Sequence, residues 1–432
     1  MNIFYSVFRN KFTQDFLGYI IITGLQKAIP FLLLPYLSRL FNEEQLGYYV
    51  LFQTILLLLY PILTIGFDTA IGINYYKLDT KKFAIYLTNG LGFIFFFAAI
   101  GIGLFFLLPD FISRYIKFSF HWLIVIAFIP VPQFIFLINQ SLLRYLNLLK
   151  AYGCRAITFT LLSNTISLML IFFTSYTWEA FIIGTLAGYM IMSTDAFFQL
   201  KRRRFLSFKY EKSDIKDALK VGLPICIHSI GGWLGNSLNK VMVNSLIGIG
   251  ATASFGIGSA FGMVMTMLQD SMNLAYTPYI YQKLKQVDNE VKDVIVKLTF
   301  YLYLIIIALV VGISIVGYFS VEFFFGDNYS ATRSLIFPLV LAAGINGLYK
   351  IHTAYIFFSR RTLIIAKITF ITGVINIVCS YFLIEKFGIS GAAYAAVMIQ
   401  LLIYLLTLYS ANKLFKMDWK LRIRKLITKQ TC

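Results

Sequence analysis

Long apolar segments, separated by short charged or turn-rich stretches, recur along all 432 residues of the chain. A helix needs about 20 apolar residues to cross a bilayer, and on this basis we predict twelve membrane-spanning helices. Their predicted bounds are 17–39, 47–68, 84–108, 121–143, 152–174, 178–200, 218–247, 252–282, 298–319, 334–358, 363–384 and 390–411. The pattern predicts an all-α polytopic membrane protein and leaves no soluble domain to assign.

Composition and charge agree with this topology. The chain is 59% hydrophobic and 13% charged, whereas about one quarter of a soluble domain is charged. With the N-terminus inside, most of the 38 Lys and Arg residues fall on the cytoplasmic side. Those on the outer side are Arg39, Arg114, Lys117, Arg333 and Lys386. Such a bias follows the positive-inside rule, so we predict cytoplasmic termini and do not read the net charge of +19 as a sign of nucleic-acid binding.

The longest inner loop, from Lys201 to Asp217, is basic and lies at the midpoint of the chain. We therefore predict an N-terminal six-helix lobe at 1–200, a linker at 201–217, a C-terminal six-helix lobe at 218–411 and a basic cytoplasmic tail at 412–432. Six crossings return the chain to its starting side, so the two lobes would be related by a pseudo-twofold axis along the membrane normal.

Four segments in chain order carry a family resemblance. They are PFLLLPYLSRLFNEEQLGYYVL, LKVGLPICIHSIGGWLGNSLNKVMVNSLIG, AYTPYIYQKL and INIVCSYFLIEKFGISGAAYAAVM. The chain resembles the Wzx-type O-antigen or polysaccharide flippases of the multidrug, oligosaccharidyl-lipid and polysaccharide exporter superfamily. One departure is Asn239, because members often place an acidic residue directly before the basic residue of the seventh helix.

The resemblance implies two six-helix lobes around a central cavity that opens alternately to each side. It implies a cargo, an undecaprenyl-pyrophosphate-linked oligosaccharide, that moves from the inner to the outer leaflet of the bacterial inner membrane. The further partners it implies are membrane lipids, a polysaccharide polymerase and a chain-length regulator.

Lysines within the predicted spans are the first candidates for cargo binding. A lysine at the bilayer centre costs at least about 2.5–3.5 kcal/mol on insertion scales, so Lys27, Lys240 and Lys350 should face a partner or a watery cavity. A pyrophosphate needs such positive charge, and we predict that the three line a cationic cavity. Alternatively, Lys240 snorkels to the headgroups, and Lys350 reaches the inner surface or pairs with an acid.

Polar neighbours of these lysines are the next candidates. Gln26, Asn236 and Asn244 could hydrogen-bond sugar hydroxyls. Asn236, Lys240 and Asn244 are four residues apart, so they would share one face of a continuous helix over 218–247. Arg39 stands at a helix end, where interface anchoring is the alternative to contact with cargo.

Candidate counter-charges or coupling groups are Asp270, Asp68, His228 and His352. Histidines change charge near physiological pH, but a histidine in a helix bundle is more often a hydrogen-bonded packing residue. No GxxxxGK[ST] motif for ATP is present in the sequence. We predict no catalytic residues, no cofactor and no metal, and transport that is facilitated or ion-coupled.

Three other functions remain open. A multidrug or cation antiporter of the same superfamily would favour carboxylates over lysines within the membrane. An O-antigen polymerase or membrane glycosyltransferase would need a sizeable outer loop, and the outer loops here are short. A channel or structural membrane protein would not need the long basic linker.

Overall fold

The computed structural model describes residues 11–107, 118–207, 209, 211–285, 288–359 and 361–417, and in these ranges it contains helices and no strand. The α-helices are α1 (Lys11–Leu40), α2 (Glu43–Thr64), α3 (Phe67–Tyr75), α4 (Thr80–Leu107), α5 (Phe120–Phe128), α6 (Pro130–Tyr145), α7 (Leu149–Phe173), α8 (Glu179–Arg202), α9 (Lys212–Asn236), α10 (Leu238–Leu246), α11 (Ile249–Lys283), α12 (Asn289–Phe325), α13 (Arg333–Phe358), α14 (Leu363–Phe387) and α15 (Ile389–Leu414). Arg114, Lys117 and the predicted tail from residue 418 onward lie outside the described residues.

Within this described part, eleven helical segments are long and apolar enough to cross a membrane. They are Ile21–Leu40, Glu43–Thr64, Thr80–Gly103, Phe120–Tyr145, Leu149–Phe173, Glu179–Arg202, Ile249–Asn273, Asn289–Phe325, Asn328–Phe358, Leu363–Phe387 and Ile389–Leu414. Each corresponds to one predicted span, in order. The prediction of an all-α, multi-pass membrane protein is confirmed.

The remaining predicted span, 218–247, is not one continuous helix, and that prediction is corrected. α9 ends at Asn236, Ser237 lies in a turn, and α10 begins at Leu238. A break of this kind changes the helical register, so residues before and after it no longer follow one face. Asn236 is exposed and Asn244 is buried, and the predicted shared face is therefore absent.

The chain forms two compact units, Met1–Ile230 and Gly231–Cys432, and the boundary falls inside α9. We call them the N-terminal and C-terminal units. In the N-terminal unit, a buried cluster that includes Phe67, Leu87 and Phe134 packs α3, α4 and α6 together. In the C-terminal unit, a smaller cluster around Val243 and Phe255 joins α10 and α11 to α13, α14 and α15. The predicted lobes, their twofold relation and the central cavity stay predictions.

The first turns of α9 are fixed to the N-terminal unit by carboxylates. Asp217 accepts hydrogen bonds from Asn74 Nδ2 at 3.0 Å and from the Tyr86 hydroxyl at 3.2 Å. Asp214 accepts one from Asn89 Nδ2 at 2.9 Å. Hydrogen bonds to charged acceptors are stronger than neutral ones, so the end of the basic segment between the two halves is held in helical form.

Candidate functional site

An ion pair joins two helices of the C-terminal unit at the predicted site. Lys350 of α13 donates from Nζ to Oδ1 of Asp270 on α11 over 2.6 Å. The side chains are 22% and 43% exposed, respectively, so the pair is accessible from outside the packed core. Of the alternatives left open for Lys350, pairing with an acid is the one that the structure contains.

The backbone beneath this ion pair is held by a glutamine and a glycine. Gln269, next to Asp270, donates from Nε2 to the Gly344 carbonyl at 3.2 Å. Its side chain occupies the space over Gly347, where a Cβ would collide with it. A side chain at position 347 would therefore displace the Gln269 amide from the Gly344 carbonyl.

A chain of amide side chains lies one helical turn from Lys350. Asn346 donates from Nδ2 to Gln400 Oε1 at 3.0 Å, and Gln400 donates from Nε2 to Asn236 Oδ1 at 2.7 Å. These bonds connect α13, α15 and α9. Asn236 was predicted as a site residue, whereas Gln400 was missed. The signal that could have identified Gln400 is its position as an amide within an otherwise apolar span.

Lys240 is half-buried on the short helix α10, and the residue before it has a structural role. Asn239 is buried, donates to the Ala392 carbonyl at 3.1 Å and accepts from Asn376 Nδ2 at 2.9 Å. Asn376 also donates to the Leu234 carbonyl at 2.7 Å, in the last turn of α9, where helix carbonyls lack intrahelical donors. The break before Lys240 is thus stabilised by amides.

Other predicted site residues lie in the N-terminal unit. Gln26 donates from Nε2 to the Ala156 carbonyl of α7 at 3.3 Å, and Lys27 is half-buried beside it on α1. Arg39 is exposed in the last turn of α1, and Asp68 is half-buried in the first turn of α3. Gln26 and Lys27 thus form a polar pair within α1, whereas Arg39 and Asp68 lie at helix ends.

The two histidines differ in environment. His228 is half-buried on α9. His352 is fully buried, its Nε2 lies 2.5 Å from the Tyr303 hydroxyl, and that hydroxyl lies 2.9 Å from the Tyr404 hydroxyl. This network favours the interpretation of His352 as a hydrogen-bonded packing residue.

The family model described as polysaccharide biosynthesis protein matches residues 12–284, more than half of the chain. The chain belongs to this polysaccharide biosynthesis family. Two curated relatives come from Haemophilus influenzae. An uncharacterized membrane protein is 22% identical over 351 residues, 78% of this chain and 81% of the relative. Lsg locus putative protein 1 is 20% identical over 372 residues, 85% of this chain and 90% of the relative.

Solved structures place this family member in a transporter fold. The lipid II flippase MurJ in an inward closed conformation has a TM-score of 0.68 at 16% identity, over 96% of this chain and 92% of that chain. An inward-facing multidrug resistance MATE family transporter of the MOP superfamily has a TM-score of 0.66 at 16% identity, over 92% and 96%. The prediction of a polysaccharide-type family is confirmed by the family model, and the predicted fold agrees with these two structures.

Proposed function

We propose that this protein is a flippase for an undecaprenyl-pyrophosphate-linked oligosaccharide, an O-antigen or related polysaccharide repeat unit. It would move this cargo from the inner to the outer leaflet of the bacterial inner membrane by alternating access through a cationic cavity, with both termini cytoplasmic. Membership of the polysaccharide biosynthesis family supports the kind of cargo. The similarity to the structure of the lipid II flippase MurJ supports the fold required.

The observation that carries the proposal is the polar surface around Lys350. An ammonium group that is partly exposed within an apolar helix is costly in lipid, and it is suited to a phosphate. The amide chain that starts one turn away at Asn346 passes through Gln400 and ends at the exposed Asn236, whose amide suits sugar hydroxyls. Lys27 and Lys240 would add positive charge.

The physical need for such a surface is large. An unpaired ion moved through hydrocarbon would cost on the order of tens of kcal/mol by ideal solvation estimates. Paired charges remove most of that cost, while the prenyl chain of the cargo stays in the bilayer. A membrane potential would assist an anion leaving a negative interior by about 2.3 kcal/mol per charge per 100 mV.

A second candidate function is a multidrug or cation antiporter. Its support is the nearly equal likeness to the MATE transporter, with a TM-score of 0.66. A cationic cargo would favour carboxylates over lysines within the membrane, and the predicted spans hold Lys27, Lys240 and Lys350 against the deep carboxylate Asp270. The flippase therefore agrees better with the charges on the described helices.

The test is complementation of a bacterial strain that lacks its own O-antigen flippase. Wild-type protein should restore surface polysaccharide, whereas Lys27→Ala, Lys240→Ala and Lys350→Ala should each reduce it at equal protein level in the membrane. Full surface polysaccharide with all three variants would contradict the cationic cavity. Resistance to cationic dyes without restored polysaccharide would favour the antiporter.

A further inference from the structure

We propose that Asp270 is a built-in competitor for the anionic group of the cargo at Lys350. The inference rests on the proposed function and deepens it. In the structure, Asp270 neutralises the ammonium of Lys350. An incoming diphosphate would take the ammonium away from Asp270, so that cargo binding exchanges one ion pair for another rather than filling a bare cationic site.

The geometry allows Lys350 to move while the helices stay in place. The partners lie on different helices, α13 and α11, and their side chains meet through Nζ and Oδ1. The backbone on both sides is fixed, because Thr353 Oγ1 donates to the Lys350 carbonyl at 2.7 Å and Gln269 holds α11 against α13. Lysine has a flexible four-carbon stem, whereas the aspartate side chain is short. The ammonium is therefore the group that would swing.

The exposure of the pair makes the exchange favourable. A carboxylate that is 43% exposed is not enclosed by the packed helices, and ion pairs exposed to this extent contribute little net stability where water reaches them. A diphosphate carries more negative charge than one carboxylate and offers more acceptor oxygens, which strengthens its bonds to an ammonium group. Until cargo arrives, the carboxylate lowers the cost of keeping a lysine within an apolar helix.

An ion pair in the N-terminal unit provides a matched contrast. Arg155 Nε donates to Asp195 Oδ2 at 2.9 Å, and these side chains are 26% and 44% exposed. Gln199 Nε2 also donates to Asp195 Oδ2 at 2.5 Å, and Arg155 donates to the Ala151 carbonyl at 3.3 Å. This pair has nearly the same exposure but includes none of the proposed cargo-binding residues, so it serves as the control.

A binding measurement on the purified full-length protein in detergent tests the inference. The probe is geranylgeranyl pyrophosphate, and the variants are Asp270→Asn, Lys350→Ala, the double variant and the control Asp195→Asn. Without its competitor, Asp270→Asn should bind the probe about fivefold tighter than wild type. The double variant should bind no better than Lys350→Ala, and Asp195→Asn should bind like wild type.

The outcomes separate the two proposals. If wild type binds the probe and Asp270→Asn binds it no more tightly, the competitor role alone is overturned. The same holds if Asp270→Asn raises the affinity equally in the Lys350→Ala background. Probe binding by no variant contradicts the proposed function and the inference with it. Thermal unfolding of each variant checks folding, and Asp270→Ala serves as a second neutral variant if Asp270→Asn does not fold. Asp270→Glu keeps the negative charge, so it should bind the probe with the affinity of wild type.

Discussion

Replacing Lys350 with methionine keeps a long unbranched side chain and removes its charge, so it isolates the role of the ammonium. A hydrogen bond to a charged group contributes about 1.5–3 kcal/mol. In the wild type, Lys350 must first leave its ion pair with the partly exposed Asp270, which costs about 1 kcal/mol. We subtract this cost from the contribution of the new bond. The remaining 0.5–2 kcal/mol corresponds to an affinity for a pyrophosphate-linked lipid that is about 2- to 30-fold lower than that of wild type.

The assay uses vesicles that contain purified protein and a fluorescent polyprenyl-pyrophosphate disaccharide at subsaturating concentration. The initial rate at which the label reaches the opposite leaflet is measured by chemical quenching, normalised to reconstituted protein. Lys386→Met is the matched control, since Lys386 is exposed at the end of α14 in the same unit. Equal rates for wild type, Lys350→Met and Lys386→Met would refute the reasoning.

The remaining predictions concern the scaffold. Asn376→Leu removes a donor to the buried Asn239, and it should lower the free energy of unfolding by about 1–3 kcal/mol; an unchanged thermal unfolding midpoint in detergent would contradict the role of this amide. Gly347→Val should displace the side-chain amide of Gln269, with which a Cβ at this position collides, and so break its bond to the Gly344 carbonyl; we expect a thermal unfolding midpoint below that of wild type, whereas an unchanged midpoint would argue against this contact. His352→Phe should lower stability by about 1 kcal/mol while leaving the vesicle transport rate unchanged, and loss of transport in a stably folded variant would show that the packing interpretation is wrong.

Apolar length and charge placement predicted most of the fold, because these two properties decide which segments enter a bilayer and in which direction. The spans on both sides of the basic loop were found at nearly their observed bounds. The break at Ser237 was not. It is held by Asn376 and Ser380, which lie more than a hundred residues away in sequence and bond to the turn region through Leu234 and Asn239. Hydropathy and helical periodicity contain no information about such distant donors.

The sequence indicated individual polar residues of the candidate site but not which of them bond to each other. Lysine within an apolar span is a strong signal by itself, and it selected Lys350 as a candidate, whose role in cargo binding stays a prediction. The partner of each polar group depends on how helices pack, so Gln400 was missed and the pairing of Lys350 with Asp270 was one of several alternatives. The assignment of Asn244 to the cavity face depended on an unbroken helix, which the structure does not contain, and Asn244 is buried; its role in a cavity stays a prediction.

The central claim is that this protein carries an anionic lipid-linked sugar across the bilayer. The most direct measurement compares transport of a fluorescent polyprenyl-pyrophosphate disaccharide with transport of a cationic dye in vesicles that contain the wild-type protein. The account predicts protein-dependent movement of the pyrophosphate lipid, inhibited by an excess of unlabelled polyprenyl pyrophosphate, and no uptake of the dye. Dye movement without lipid movement, or lipid movement equal to that in protein-free vesicles, would contradict it.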